Sequence, residues 1–335
     1  MNSLLITRAK IIESIRKFFW QNEFIETDTP TLVFSPGMEP HICPIAVQEQ
    51  RISSIRQTAD FESAERAYLH TSPEFAMKKI LAIGFDRIFQ ICKCYRAEPK
   101  SCTHEPEFTM LEWYRSNSQY GIIMDDCENL FNFIAKKLNK PVFPTFPRFS
   151  LKECFEKFVS LDLTKFLPAT ERSSKAFFEE VQKRGHTQNS NLSWDDYFFL
   201  FMMNEVEPKL AKLKTPVIIH SYPETQAALA NIFIDKDGFR WAKRFEVYAG
   251  GLELANAFDE LIDASEQRRR FEKDMTLRKK LYGLTNPIDE DFLDALKQMK
   301  PSAGIALGID RLVMYFTEQR DIKDITWQPA YWNQL

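Results

Sequence analysis

Two short stretches carry the residue types that phosphate and carboxylate chemistry needs. In Gln90-Ile91-Cys92-Lys93-Cys94-Tyr95-Arg96-Ala97-Glu98 the alternation reads as a strand, which sets Arg96 and Glu98 on one face. In Glu107-Phe108-Thr109-Met110-Leu111-Glu112-Trp113-Tyr114 the same period gathers Phe108, Met110, Glu112 and Tyr114. An arginine, a flat ring and carboxylates on neighbouring strands can hold a phosphate, a base and a cation, although an exposed sheet face would alternate in the same way. Farther on, Glu246 and Glu253 fall on the two arms of a hairpin turned at Ala249-Gly250-Gly251. They are near enough to share a hard cation, and solvated hairpin glutamates would be spaced alike.

These residues need a scaffold, and the hydrophobic periods outline one. Ile11, Ile12, Ile15, Phe18 and Phe19 recur at helical spacing over residues 7 to 20, and a short strand over 24 to 29 ends at Pro30. Residues 69 to 82 read as a helix entered through Thr71-Ser72-Pro73-Glu74. Strands are predicted over 87 to 98 and 107 to 114, then a mostly helical, Phe- and Lys-rich stretch over about 122 to 213. Strands return at 216 to 220, 244 to 248 and 252 to 256, a helix covers 264 to 282, and 304 to 316 reads as strand, glycine break and helix. This order predicts an α+β fold, an antiparallel sheet flanked by helices, as a single domain over 1–335 with a helical insertion. The chain has only 10 glycines, and neither G-x-G-x-x-G nor G-x-x-x-x-G-K-[ST] occurs, so a bound nucleotide must be held by side chains.

Composition narrows the class. With 335 residues, 44% hydrophobic and 27% charged, the chain reads as an ordinary globular protein. The longest apolar run, Tyr197 to Met203, is too short for a membrane span, and no targeting segment is visible, so a cytoplasmic location without membrane association is expected. The formal net charge of -3 speaks against a dedicated nucleic-acid binder. Arg268-Arg269-Arg270 stands beside Glu266 and Glu272 and reads as a solvated helix face. Of the six cysteines, Cys92 and Cys94 invite comparison with zinc ligands, together with Cys102 and His104. Their C-x-C spacing in a strand departs from the C-x-x-C of zinc turns, and free thiols are expected.

Arg96-Ala97-Glu98 followed by His104-Glu105-Pro106-Glu107-Phe108-Thr109-Met110-Leu111-Glu112-Trp113-Tyr114 resembles motif 2 of the class II aminoacyl-tRNA synthetases in its lysine-specific form. Gly304-Ile305-Ala306-Leu307-Gly308-Ile309-Asp310-Arg311-Leu312 resembles motif 3, and the first helix and strand resemble motif 1, which in that family builds a homodimer interface. The resemblance implies a class II catalytic fold that uses ATP and Mg2+. Arg96 and Arg311 would be catalytic, Arg96 on the α-phosphate and substrate carboxylate and Arg311 on the γ-phosphate. Glu98, His104, Phe108, Leu254 and Gly308 would complete the ATP site, with Glu246 and Glu253 on ATP and its metal.

The same resemblance implies an amino-acid pocket in which Glu112, Glu260 and Tyr114 meet a side-chain ammonium. Glu74, with Ser72 beside it, would meet the other amine, Asn256 the carboxylate, and Ala306 would shape the pocket. A guest with two ammonium groups needs several carboxylates, because an unpaired charge is costly to desolvate. Motif 1 arrives within the first thirty residues, so no anticodon-binding domain is expected and tRNA is not the expected acceptor. The subgroup most resembled is that of the elongation factor P lysyl ligases, through Thr71-Ser72-Pro73-Glu74, the Phe108 to Trp113 run and Ala306 in place of glycine. This implies (R)-β-lysine, or lysine, as substrate and a lysine of elongation factor P as acceptor. A methyl at Ala306 is worth roughly 1–3 kcal/mol of discrimination between isomers. Glu105 and Ala257 depart from the family pattern, which has Asn and Gly there. Rival readings are tRNA lysylation with α-lysine and a catalytically silent, synthetase-like regulatory protein.

Overall fold

The computed structural model describes residues 2–47 and 67–327. Twelve strands are found among them: β1 Ile25–Glu26, β2 Leu32–Val33, β3 Ile45–Val47, β4 Ala67–Leu69, β5 Arg87–Tyr95 and β6 Glu107–Ser116 in the first half, then β7 Arg148–Ser150, β8 Val217–Pro223, β9 Ile232–Ile234, β10 Arg240–Ala249, β11 Leu252–Asp259 and β12 Ser302–Gly308. The main sheet runs β1-β5-β6-β12-β11-β10-β8-β7, with β9 on β10. Its middle pairs are all antiparallel, and only the edge pairs β1–β5 and β7–β8 are parallel. The predicted α+β architecture is therefore present, with β2, β4 and β3 forming a small second sheet.

Strand period decides what each face does. On β6, Leu111 and Trp113 point into a core built with Phe89, with Ile11, Ile15 and Phe19 of α1 (Asn2–Gln21) and with Leu130 and Phe131 of α3 (Tyr120–Lys137). The alternate residues Met110, Glu112 and Tyr114 point the other way. On that side Tyr114 packs with Met77 and Leu81 of α2 (Glu74–Ala82) and with Phe292 and Leu293. A third cluster joins Leu151, Phe155, Phe177, Phe198 and Phe201 to Val217, Ile219 and Trp241 of the sheet.

The sequence boundaries shift in three places. Helix α2 begins at Glu74, because Ala67–Leu69 is drawn into the small sheet and buried Thr71 donates to the Pro36 carbonyl at 2.5 Å. Strand β5 ends at Tyr95, so Arg96 and Glu98 lie just beyond the ladder, where the Arg96 N–H bonds the Pro106 carbonyl. The stretch over 122–213 divides in its packing: α3 belongs to the main core, whereas residues from Leu151 onward build the third cluster.

The hairpin turn is as expected. Gly250 and Gly251 both have positive φ, +60° and +83°, which a two-residue turn of this hand requires. The Ala264–Tyr282 helix starts on the Asp263 side-chain cap and stops at left-handed Gly283. Its arginine run pairs with acids, Arg268 with Glu290 and both Arg269 and Arg270 with Glu266.

Trp113 is fully buried between α1 and the sheet, 5.2 Å from the Phe19 ring, and its Nε1–H reaches Asp126 at 3.3 Å. Trp113→Ala is expected to lower the unfolding free energy by about 3–5 kcal/mol, read as a shift of the urea midpoint.

Candidate active site

The sheet face opposite α1 and α3 is hollow, and most of the residues singled out in the sequence line that hollow. Its wall holds Ser72, Glu74, Arg96, Glu98, His104, Phe108, Tyr114, Glu253, Leu254, Asn256, Glu260, Ala306, Gly308 and Arg311. Register explains much of this convergence. Glu112 pairs with Ala306, Ala306 with Asn256 and Asn256 with Glu246, so four of the expected residues form one row across β6, β12, β11 and β10. The adjacent row is Tyr114, Gly304, Phe258 and Arg244. Gly304 has no substitute there, because a Cβ would lie 2.2 Å from the Tyr114 ring and 2.7 Å from Glu260 Oε1.

Glu112 and Glu246 stand behind the wall. Glu112 is fully buried and accepts hydrogen bonds from Ser72 Oγ at 2.5 Å and Tyr114 OH at 2.8 Å, both of which line the hollow. Burial, reinforced by the Glu74 charge, holds its carboxyl well above the usual range. Glu246 is buried too, and its oxygens are taken by Tyr222 OH and Tyr248 OH, each at 2.7 Å, and by Arg244 Nη2 at 2.5 Å. Glu253 does face the hollow, and burial together with the Glu246 charge pushes its carboxyl up to about 7.

The cationic end is built from two guanidinium groups. Arg311 donates through Nη1 to the Glu253 carbonyl at 2.8 Å and through Nη2 to His104 Nε2 at 2.6 Å. His104 must accept there, so it is neutral; burial and the Arg311 charge both hold its pKa below the ordinary value. Arg96 is less satisfied. Its Nε is buried without a hydrogen-bond partner, Nη2 reaches the Thr71 carbonyl only at 3.5 Å, and the guanidinium lies over the Phe108 ring at 5.1 Å. A half-buried guanidinium whose Nε lacks a partner, facing a hollow, suits an anion.

The acidic end holds a residue that the sequence reading overlooked. Lys78, 1% exposed, places its ammonium 2.5 Å from Glu74 Oε1 and 2.5 Å from Glu260 Oε2. The two carboxylates, expected to serve different amines, thus share one internal cation. Glu260 Oε1 remains without a hydrogen-bond partner, and burial, opposed by Lys78 and reinforced by Glu74, leaves its carboxyl raised to about 8. Glu39 adds a further carboxyl to the wall, raised by burial and by Glu74. The i,i+4 spacing of Glu74 and Lys78 was a legible signal for the pair. Glu39 lies in an aperiodic segment and gave none, and Arg244, at the start of the strand expected over 244 to 248, is the partner of both Glu246 and Asn256.

An acid-rich pocket joined to an arginine-lined anion site, on an antiparallel sheet flanked by helices, defines an acid-activating, nucleotide-using catalytic domain. The family model for tRNA synthetases class II (D, K and N) matches residues 1–331. This chain belongs to that family. It is 37% identical over 323 residues to the elongation factor P–(R)-β-lysine ligase of Haemophilus influenzae (strain PittGG), covering 96% of this chain and 93% of the relative. Proteins of the same name from Avibacterium paragallinarum and Pseudoalteromonas translucida (strain TAC 125) are each 37% identical, over 96% and 95% of this chain and 93% and 92% of theirs. Among the described residues no helix is long and apolar enough to cross a membrane.

Removing the Lys78 ammonium leaves Glu74 and Glu260 without a counter-charge, and breaking a buried pair costs about 3–5 kcal/mol. Lys78 is what draws the buried Glu260 carboxyl down to about 8; without it that carboxyl keeps its proton to higher pH, so the cost of the lost pairing is smaller where Glu260 is already protonated in both chains. Lys78→Met is therefore expected to destabilise the ligand-free chain more at pH 8.5 than at pH 6.5, measured by urea unfolding at both. Equal losses would count against the shared-ammonium arrangement.

Proposed function

We propose that this chain activates (R)-β-lysine with ATP and transfers the lysyl group to the ε-amino group of a lysine on elongation factor P. The observation that carries the reading is the juxtaposition of partner-starved Arg96 with an acid cluster in one hollow. The names of the relatives supply the amino acid and the acceptor. In the first step a substrate carboxylate oxygen attacks the α-phosphorus and pyrophosphate leaves. Arg96 meets the charge that builds there, and Arg311 holds the far end of the polyphosphate, oriented by neutral His104. Phe108 offers a ring face to adenine, Glu98 accepts from its amino group, and Leu254 and Gly308 bound the nucleotide. In the second step the acceptor amine attacks the acyl carbonyl and AMP leaves.

The amino-acid assignments follow the charge. Glu260 and Tyr114 take the side-chain ammonium, with Glu112 behind them acting through the hydrogen bonds it accepts from Ser72 and Tyr114. Glu74 takes the other amine, Ser72 and Ala306 shape the floor, and Asn256 meets the carboxylate. The chemistry of the donors fits a hard divalent cation at Glu253, whose raised carboxyl marks surplus negative charge. Glu253 would hold Mg2+ together with the phosphates, and Glu246 would join on leaving Arg244; the ion would neutralise polyphosphate charge. The whole chain serves as a single catalytic domain that works in the cytoplasm without membrane association. Exposed Trp20, Ile25, Leu32 and Phe34 near motif 1 support a homodimer. Glutamates pair with the one arginine run, which supports a protein acceptor over tRNA.

ATP–pyrophosphate exchange tests the first step: exchange with (R)-β-lysine in preference to α-lysine is expected, and none with either isomer would sink the reading. Mass transfer to purified elongation factor P, against charging of lysine tRNA, tests the acceptor. Arg96→Ala should lower kcat for exchange by about 10²–10³-fold.

Acidity gives an independent check. Below about pH 8 the Glu260 carboxyl must shed a proton before it can pair with an ammonium. The lysine KM should therefore fall as pH rises from 6.5 to 8, by at most about tenfold per unit. Glu260→Gln should flatten that profile; an unchanged slope would remove Glu260 from the pocket.

A further inference from the structure

Beside the hollow, on the strand that delivers Arg96, lies a cluster of donors that the ligase chemistry leaves unused. His70, Cys92 and Cys94 each offer one ligand atom, and these atoms all lie within 4.8 Å of one another. Cys92 and Cys94 alternate on β5 and so share a face, and His70 follows β4 directly. The two sulfurs are 3.9 Å apart, and Cys94 Sγ is also 3.9 Å from Met110 Sδ, on the residue paired with Cys92 across the ladder. Cys102 and His104, the other two residues that the sequence suggested, are not part of the cluster; His104 is held by Arg311.

The spacing is that of a coordination shell before it contracts. Metal–sulfur bonds of about 2.3 Å in a tetrahedron put neighbouring sulfurs about 3.8 Å apart. Both sulfur–sulfur distances already meet this, and the imidazole needs to close by only about 1 Å. His70 is 2% exposed, and its Nε2 lies 2.6 Å from the Lys93 carbonyl. A carbonyl beside the ring is the kind of partner that orients a ligating histidine, and the ring also hydrogen-bonds Cys92 and the Pro30 backbone. Cys94 is fully buried and Cys92 only partly, so an ion has a way in and little water to keep.

Donor type selects the guest. Two thiols, an imidazole and a thioether are soft or borderline, with no carboxylate among them, so Mg2+ and Ca2+ are poor guests. A disulfide is the competing use of the thiols. Alternate residues of an extended strand stand about 6.6 Å apart at Cα, near the limit of about 6.8 Å that a disulfide spans, so closing one would bend β5. We propose that His70, Cys92 and Cys94, with Met110 Sδ as a weaker fourth donor, form a site for a thiophilic closed-shell ion, Zn2+ or Cu+. Met110 also lines the active hollow. An ion there would pin the end of β5 from which Arg96 projects, without entering the substrate path.

The test uses the full chain, reduced and stripped with a chelator. Zn2+ is titrated against a chromophoric chelator, and Cu+ is titrated anaerobically against a Cu+-selective one, which separates the two ions. One equivalent per chain is expected, with the Cys92 thiol shielded from a thiol reagent once the ion is bound. His70→Gln, Cys92→Ser and Cys94→Ser should each weaken binding by at least about tenfold, and Cys102→Ser should leave it unchanged. Should a variant fail to fold, cobalt substitution of the wild-type chain decides the matter, since sulfur-to-cobalt charge-transfer bands report thiolate ligation directly. Binding only above micromolar ion, equal binding in all four variants, or a Cys92–Cys94 disulfide formed in preference to the complex would overturn the proposal. None of these outcomes depends on whether the chain activates lysine.

Discussion

Glu74 and Glu260 grip a single ammonium, that of Lys78, inside a hollow that also carries Glu39 and stands one hydrogen bond away from Glu112. One internal cation among four carboxyls leaves an imbalance. Burial raises the carboxyls of Glu39, Glu112 and Glu260, and each stays high because its neighbours are also acids. Such a pocket can be quiet when protonated, yet it is best satisfied by a guest that brings positive charge. A lysine isomer brings two. The proposed specificity would then rest on electrostatic deficit as much as on shape.

The other end of the hollow carries the opposite deficit. Arg96 is held by little besides the face of the Phe108 ring, and Arg311 spends its donors on a carbonyl and on neutral His104. A zwitterionic acid joined to a polyphosphate answers both deficits at once, ammonium groups toward the glutamates and phosphates toward the arginines. Rigidity makes this economical. The row Glu112–Ala306–Asn256–Glu246 is fixed by four strands of one ladder, so its members cannot move independently.

Much of the candidate site was legible because chemistry-bearing residues sit in short local runs. Arg96, Glu98, His104, Phe108 and Glu112 lie within seventeen consecutive positions, 96 to 112, and the Gly-Gly hairpin announces the arms that carry Glu246 and Glu253. Less was legible where partners are remote. Nothing local says that Glu246 would be captured by Tyr222 and Arg244, or that Glu39 would join the wall. The strand alternation that placed Arg96 and Glu98 on one face reached the right cavity for a partly wrong reason, since the ladder ends at Tyr95.

By itself the sequence determined the local geometry: the period of each strand and helix, the turn at Gly250-Gly251, and the motifs that mark the family. These depend on neighbours within a few positions, where covalent spacing leaves few choices. Only the tertiary structure decided how charges are shared. Lys78 meets Glu260 from a distance of 182 positions along the chain, and His70, just past the small sheet, meets Cys92 and Cys94 of the main sheet. Electrostatic and ligation contacts act over a few ångströms of space regardless of chain separation, so the fold and not the order of residues sets their partners.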